Sequence, residues 1–191
     1  MIWVFPPEEL ARLVRPRRFR QCPPFKTLRM MGLKRGMDVA DIGCGPGFWT
    51  LPAARIAGPA ARVYACDISP RILAAARQRA SAGGPANITF KKSRTYRVPF
   101  APACADFCMM NYVLHEVDDP PRLLAEAARV LRPGGILAVY EWAVVKTERG
   151  PPLSERIGQG KMKAFFRAAG VRPAGSSRPD RANYILLGVR K

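Results

Sequence analysis

Acidic residues are scarce in this chain: 14 Asp and Glu stand against 32 Lys and Arg in 191 residues, a formal charge of +18. An acidic, solvating chain is excluded, and the surface will draw phosphates and other anions with a strength that falls as salt rises. Histidine occurs once, at His115, so His115-Glu116-Val117-Asp118-Asp119 lacks the second histidine that a zinc protease needs. Long apolar runs are also missing. The longest uncharged stretch, Ile42 to Ala54, is broken by Gly43, Gly45, Pro46, Gly47 and Pro52, which excludes a membrane span of about 20 apolar residues. Residues 1–9 carry neither a basic leader nor a long apolar segment, so the expected location is cytoplasmic. The cysteines are few and odd in number, Cys22, Cys44, Cys66, Cys104 and Cys108; they read as reduced thiols, and Cys104 and Cys108 have no second ligand pair to make a metal site.

What is present suits one folded unit. Hydrophobic residues make up 48% and charged residues 24%, values of a globular domain, and the length serves one core. The expected organisation is a single domain over 1–191, with an N-terminal helical cap at 1–35 on an α/β core at 36–191. The cap should hold two short helical pieces around the basic run Arg12, Arg15, Arg17, Arg18, Arg20, Lys26 and Arg29. Strands are expected at 37–42, 62–67, 87–91, 105–111, 136–142, 171–176 and 183–190. Helices are expected at 48–56, 70–82 with Ser69 as cap, 120–131 with Pro133-Gly134-Gly135 as its stop, and 154–169. Such alternation implies a mainly parallel sheet covered on both faces, with ligands bound at the carboxyl ends of the strands. The short polar link 177–182 makes the last two strands antiparallel neighbours.

Asp41-Ile42-Gly43-Cys44-Gly45-Pro46-Gly47 follows the first strand. Its glycines allow a sharp turn and a close backbone approach, and the helix start at Phe48, Trp49 and Thr50 offers free N–H groups to a ligand. The spacing is not the dinucleotide pattern G-x-G-x-x-G, since Phe48 stands where its third glycine belongs, and no Lys-Ser/Thr follows to make a phosphate loop. With Asp67 ending the second strand, and with 107–120 and Ala128-Arg129-Val130-Leu131-Arg132-Pro133-Gly134-Gly135 further on, the chain resembles class I S-adenosylmethionine-dependent methyltransferases. Within them it is similar to the ubiquinone/menaquinone-biosynthesis C-methyltransferase subgroup.

That resemblance implies a Rossmann-like methyltransferase fold: a seven-stranded, mostly parallel sheet with helices on both faces and an antiparallel C-terminal strand. It implies S-adenosyl-L-methionine as cofactor, held by Asp41, Gly43, Cys44, Gly45, Gly47, Thr50, Asp67, Ile68, Ser93, Arg94 and Asn111, with both ribose hydroxyls on the Asp67 carboxylate. One position departs from the subgroup: Arg94 replaces the acid that meets the adenine amine. A guanidinium only donates, so Ser93 or a backbone carbonyl must accept instead, and adenine binding is expected to survive in weaker form.

Methyl transfer asks chiefly for alignment and a dry pocket. The acceptor is expected above the ends of the fourth and fifth strands, near Asn111, Tyr112, His115, Glu141 and Trp142, with the N-terminal segment and residues 143–152 as lid. His115 and Glu141 are the general-base candidates, and Tyr112 completes the expected catalytic set. The expected partner is a small-molecule methyl acceptor. An RNA or other polyanion bound through the basic N-terminal segment, and a protein that binds the cofactor without turnover, are the alternatives.

Overall fold

The computed structural model describes residues 10–191; the expectation placed on residues 1–9 lies outside them. Seven strands form one sheet in the order β3-β2-β1-β4-β5-β7-β6. They are β1 (Val39–Ile42), β2 (Val63–Asp67), β3 (Ile88–Lys92), β4 (Ala105–Asn111), β5 (Leu131–Trp142), β6 (Val171–Ser177) and β7 (Asn183–Arg190). The first five pair in parallel, while β7 runs antiparallel to both β5 and β6. The chain order reverses beside β1, which opens a crevice at the carboxyl ends of β1 and β4 where open α/β sheets bind ligands.

Central strands of such a sheet must be apolar on both sides. In β4 the side chains alternate: Phe107 and Met109 point to one face, Cys108 and Met110 to the other, all fully buried. Helices α3 (Pro24–Met30) and α4 (Thr50–Ala57) cover the Phe107 face, with Leu28, Trp49 and Ala53 in its core. Helices α6 (Pro120–Val130) and α7 (Gln159–Ala168) cover the other through Leu124, Met162 and Phe166. Between β3 and β4 there is no helix; the irregular stretch over 93–104 buries Val98 and Phe100 there instead. Helix α5 (Pro70–Ser81) starts as expected, with the Ser69 hydroxyl accepting from the Ile72 N–H.

At the amino ends of the strands one ion network ties four of them together. Arg132 at the start of β5 donates to Asp38 (2.9 Å) and Asp106 (2.6 Å), and Asp38 accepts from the Arg62 N–H at 2.7 Å. The opposite, carboxyl-terminal ends are left free of this fastening and available for a site.

Three expectations need correction. The N-terminal segment holds three short helices, α1 (Leu10–Leu13), α2 (Pro16–Gln21) and α3, because Pro16 and Pro24 each restart the helix at its first turn. Pro133-Gly134-Gly135 does not stop α6: that helix ends at Val130, and the three residues lie inside β5 at an irregularity between the Ala105 and Phe107 pairings. Finally, 154–158 is not helical throughout. Leu153–Glu155 forms a 3-10 turn and α7 begins at Gln159, since the buried Arg156 side chain turns aside to bind loop carbonyls.

Gly188 of β7 lies tight against Val171 of β6 and Phe166 of α7. A Cβ there would stand 2.5 Å from Val171 Cγ1 and 2.7 Å from Phe166 Cδ2. Gly188→Ala should therefore cost about 1–3 kcal/mol of stability through overpacking, read from the urea midpoint at unchanged helix content.

Candidate active site

The glycine turn after β1 is held by backbone bonds to β2. The N–H groups of Gly43 and Cys44 both donate to the Cys66 carbonyl at 2.9 Å. Gly43 has φ +74°, and a Cβ there would lie 2.4 Å from Val113 Cγ2. Only glycine lets the turn after β1 and the loop after β4 touch at this point. Beneath the turn, Thr50 Oγ1 donates to Asp41 Oδ2 at 2.6 Å, and both residues are buried. Burial pushes the Asp41 carboxyl up to about 7, with the hydroxyl opposing and the nearby Asp67 charge adding to the rise.

Asp67 ends β2 with its carboxylate turned to the same turn. Its Oδ2 accepts from the Gly45 N–H at 3.0 Å and its Oδ1 from the Ser69 N–H at 2.9 Å. Burial raises its pKa against these donors. Each oxygen keeps a lone pair, enough to accept two vicinal hydroxyls. Ser93, also buried, donates its N–H to the Asp67 carbonyl, and Ile68 beside it is half-buried. Cys44 is packed with Ala65 and Leu73, and its thiol faces the Gly45 carbonyl. Arg94, by contrast, is exposed, and its backbone pairs with Arg97; its side chain is not part of this buried cluster.

Asn111, the last residue of β4, is buried with neither amide atom hydrogen-bonded among the described residues. Leaving such a group unpaired costs about 1–3 kcal/mol, so it marks a place where a ligand completes the structure. The Asp67 carboxylate with its remaining lone pairs, the unpaired Asn111 amide and the glycine turn between them could hold the polar atoms of S-adenosyl-L-methionine.

Beyond Asn111 the backbone is strained. Tyr112 has φ +60°, an unfavourable conformation for a bulky residue that signals a functional constraint. Its hydroxyl donates to Asn183 Oδ1 at 3.0 Å, and its ring lies 4.8 Å from Tyr140 and 5.4 Å from Trp142. Trp49 and Phe48 extend the aromatic set. From α2, Phe19 packs on Phe48, and the Arg18 guanidinium sits 4.3 Å from the Phe48 ring centre and 5.9 Å from that of Tyr112. Burial lowers the Arg18 pKa, an effect that the charges of Tyr112, Cys22 and Tyr140 oppose.

His115 and Glu141 meet directly. Nδ1 of His115 is 2.8 Å from Glu141 Oε2, and the same carboxylate accepts from the N–H groups of Leu114 (3.0 Å) and Trp142 (3.1 Å). With three donors on it, Glu141 is an anchor for the loop and for the imidazole. Burial lowers the His115 pKa, but the hydrogen bond and the charges of Glu141, Glu116 and Glu155 outweigh it and the net shift is upward. Nε2 lies 3.9 Å from Glu116 Oε1. Glu116, which is not among the site residues expected from the sequence, is pushed up to about 8 by burial, with His115 opposing and Glu141 and Asp67 adding. His115 also lines a cleft of about 320 Å³ with Glu155, Lys161 and Phe165.

The loop over 143–157 closes one side. Arg156 is buried and donates to the carbonyls of Ala143, Val145, Arg149 and Pro151 and to the Thr147 hydroxyl, with its guanidinium 5.2 Å from the Trp142 ring centre. One side chain thus gathers the whole loop.

Comparison with known proteins gives a consistent result. A family model described as a methyltransferase domain matches residues 40–139. The demethylmenaquinone methyltransferase of Geobacillus stearothermophilus is 31% identical over 114 residues, covering 60% of this chain and 49% of that protein. That of Bacillus subtilis (strain 168) is 30% identical over 116 residues, covering 61% and 50%. The chain thus spans about half the length of these curated relatives. A solved SAM-dependent methyltransferase from Aquifex aeolicus superposes with a TM-score of 0.93 at 27% identity, over 98% of this chain and 100% of that one.

Two outcomes test the site. Asp67→Asn should weaken S-adenosylhomocysteine binding at least about tenfold, about 1.4 kcal/mol, by calorimetry, at a nearly unchanged melting temperature. A carboxyl whose folded pKa is raised contributes stability at low pH and loses it as pH climbs through that value. Without ligand, Asp41→Asn should therefore gain in urea midpoint relative to the parent as pH rises from about 4 to about 7.

Proposed function

This chain belongs to the methyltransferase domain family and is an S-adenosyl-L-methionine-dependent enzyme, and on that premise we propose that it methylates a small aromatic acceptor of the hydroquinone type. The observation that carries the proposal is the His115–Glu141 pair at the ends of β4 and β5, with Trp142 donating its N–H to the same carboxylate and its ring 5.4 Å from that of Tyr112. Flat apolar rings accept a flat ring by offset or edge packing. The names of the two relatives, both demethylmenaquinone methyltransferases, support a quinone-derived acceptor.

In this reading Asp67 accepts the ribose hydroxyls, Asn111 pairs with the ligand's polar atoms, and the turn over 43–47 supplies the close backbone approach. When bound, the sulfonium supplies an electrophilic methyl whose bonding pair stays on sulfur. The protein's work is then to hold the acceptor in line, exclude water, and take a proton. Glu141 accepts from Nδ1 of His115, which leaves the Nε2 lone pair free to take the acceptor's hydroxyl proton. The resulting phenolate attacks the methyl through its adjacent ring carbon, a C–C bond forming as the C–S bond breaks; the proton on that carbon then leaves to solvent while His115 returns its proton to the ring oxygen, which restores the aromatic hydroquinone. Tyr112, whose hydroxyl is committed to Asn183, acts through its ring as a wall of the pocket. Arg156 keeps the loop over 143–157 closed above Trp142.

Incubation with labelled S-adenosylmethionine and a short-chain demethylated naphthohydroquinone should yield labelled product. Absence of product with every reduced naphtho- and benzoquinone tried, in a preparation that binds S-adenosylhomocysteine, would contradict the acceptor class. His115→Ala should cut kcat about 10²–10⁴-fold at unchanged S-adenosylhomocysteine affinity. Because the base must be neutral and its pKa lies above 6.5, the rate should rise with pH through a value above 6.5. Glu141→Gln should move that inflection down.

A further inference from the structure

Residues 10–37 contain nine basic side chains and not one acid, the most one-sided segment of a chain that is already +18. Within it α3 has a divided surface. Pro24, Thr27 and Leu28 are buried against the core, while Phe25, Lys26, Arg29 and Met30 are exposed. Positions 25, 26, 29 and 30 share one face of a helix. Phe25 and Met30 are two of only four large hydrophobic side chains that stand exposed among the described residues, at 37% and 43%. A helix face that interleaves cations with protruding apolar groups matches the boundary of a bilayer, where the cations meet lipid phosphates and the apolar groups enter the acyl region.

We propose that the α3 face docks this protein on an anionic lipid surface, beside the mouth of the methyl-transfer site. The juxtaposition is short in sequence and in space. Arg18 and Phe19 of α2 lie on Phe48, Cys22 donates its thiol hydrogen to the Tyr140 hydroxyl at 3.5 Å, and Phe25 follows three residues later. Leu28 and Met31 share a core cluster with Phe48, Trp49 and Tyr140, so a surface that seats α3 lies on the sheet face that carries the aromatic set, the side from which a lipophilic acceptor would approach the strand ends. The charge suits a lipid headgroup and an RNA alike, and Phe25 could stack on a base as well as enter an acyl region. Met30 favours the lipid: an exposed aliphatic thioether has no base to stack on or bond to and is stabilised by an apolar phase. The docking surface stands on exposure and charge; only its use for acceptor delivery rests on the hydroquinone reading.

Co-sedimentation of the full chain with vesicles tests the surface without any methyl transfer. Vesicles of phosphatidylcholine with phosphatidylglycerol should bind the protein at about physiological ionic strength, and phosphatidylcholine vesicles should not. Phe25→Ser with Met30→Ser, which leaves the charge untouched, should weaken binding at least about tenfold, and Lys26→Glu with Arg29→Glu should abolish it. Both double variants should keep S-adenosylhomocysteine affinity, which shows that they fold. Undiminished vesicle binding by the Phe25/Met30 variant would overturn the proposal in favour of diffuse charge attraction. Tighter, vesicle-displacing binding to a single-stranded RNA would overturn it in favour of nucleic acid, and a dimer broken by the same variant would make α3 an interface between copies. If vesicles bind as expected but no hydroquinone is methylated, the surface stands and the acceptor class falls.

Discussion

Three carboxylates buried at the carboxyl ends of β1, β2 and β5 hold the loops on which everything else in this molecule depends. Asp41 accepts from Thr50 and fixes the start of α4. Asp67 accepts from Gly45 and Ser69 and fixes the glycine turn against β2. Glu141 accepts from Leu114, Trp142 and His115 and fixes the loop after β4. Buried charges are costly unless they are well bonded, and in a chain so rich in cations these acids are paired with backbone N–H, hydroxyl and imidazole groups. Those partners are aimed by the fold, so the site is shaped before a ligand arrives.

The same arrangement makes the site a place of stored cost. Asn111 has no partner among the described residues, Tyr112 is held in a left-handed backbone conformation, and burial raises the pKa values of Asp41, Asp67 and Glu116. Each of these is a cost that the fold must offset. Stability is supplied elsewhere, by the doubly buried strands and by the Asp38–Arg132–Asp106 network at the other end of the sheet. The division by sheet end follows from topology: parallel strands present all their carboxyl ends on one side, so binding and fastening need not compete for the same residues.

Much of this was legible in the sequence because its causes are local. A strand followed by a glycine turn, an acid at the end of the next strand, and Ser69-Pro70 at a helix start all act within a few residues, and the antiparallel pairing of β6 with β7 follows from their short link; the insertion of β7 between β5 and β6 does not. What escaped depends on distant partners. Arg156 is read as helix until its carbonyl partners over 143–151 are known; Pro133-Gly134-Gly135 is read as a stop until β4 pairs beside it. Glu116 carries no signal of its own, since its raised pKa comes from burial and from Glu141 and Asp67, 25 and 49 positions away in the chain. Arg18 was visible only as one cation in a basic run, not as the cation that lies on Phe48.

Asn111, whose buried amide has no hydrogen-bond partner among the described residues, is on this view kept at the end of β4 for the cofactor at a cost in stability. Asn111→Leu, which keeps the number of side-chain heavy atoms and removes every polar one, is read through two numbers taken on one sample, the urea midpoint without ligand and the S-adenosylhomocysteine dissociation constant. A cofactor-binding Asn111 gives a higher midpoint together with affinity weakened at least about tenfold, about 1.4 kcal/mol. A lower midpoint with unchanged affinity would contradict it and make Asn111 a structural residue.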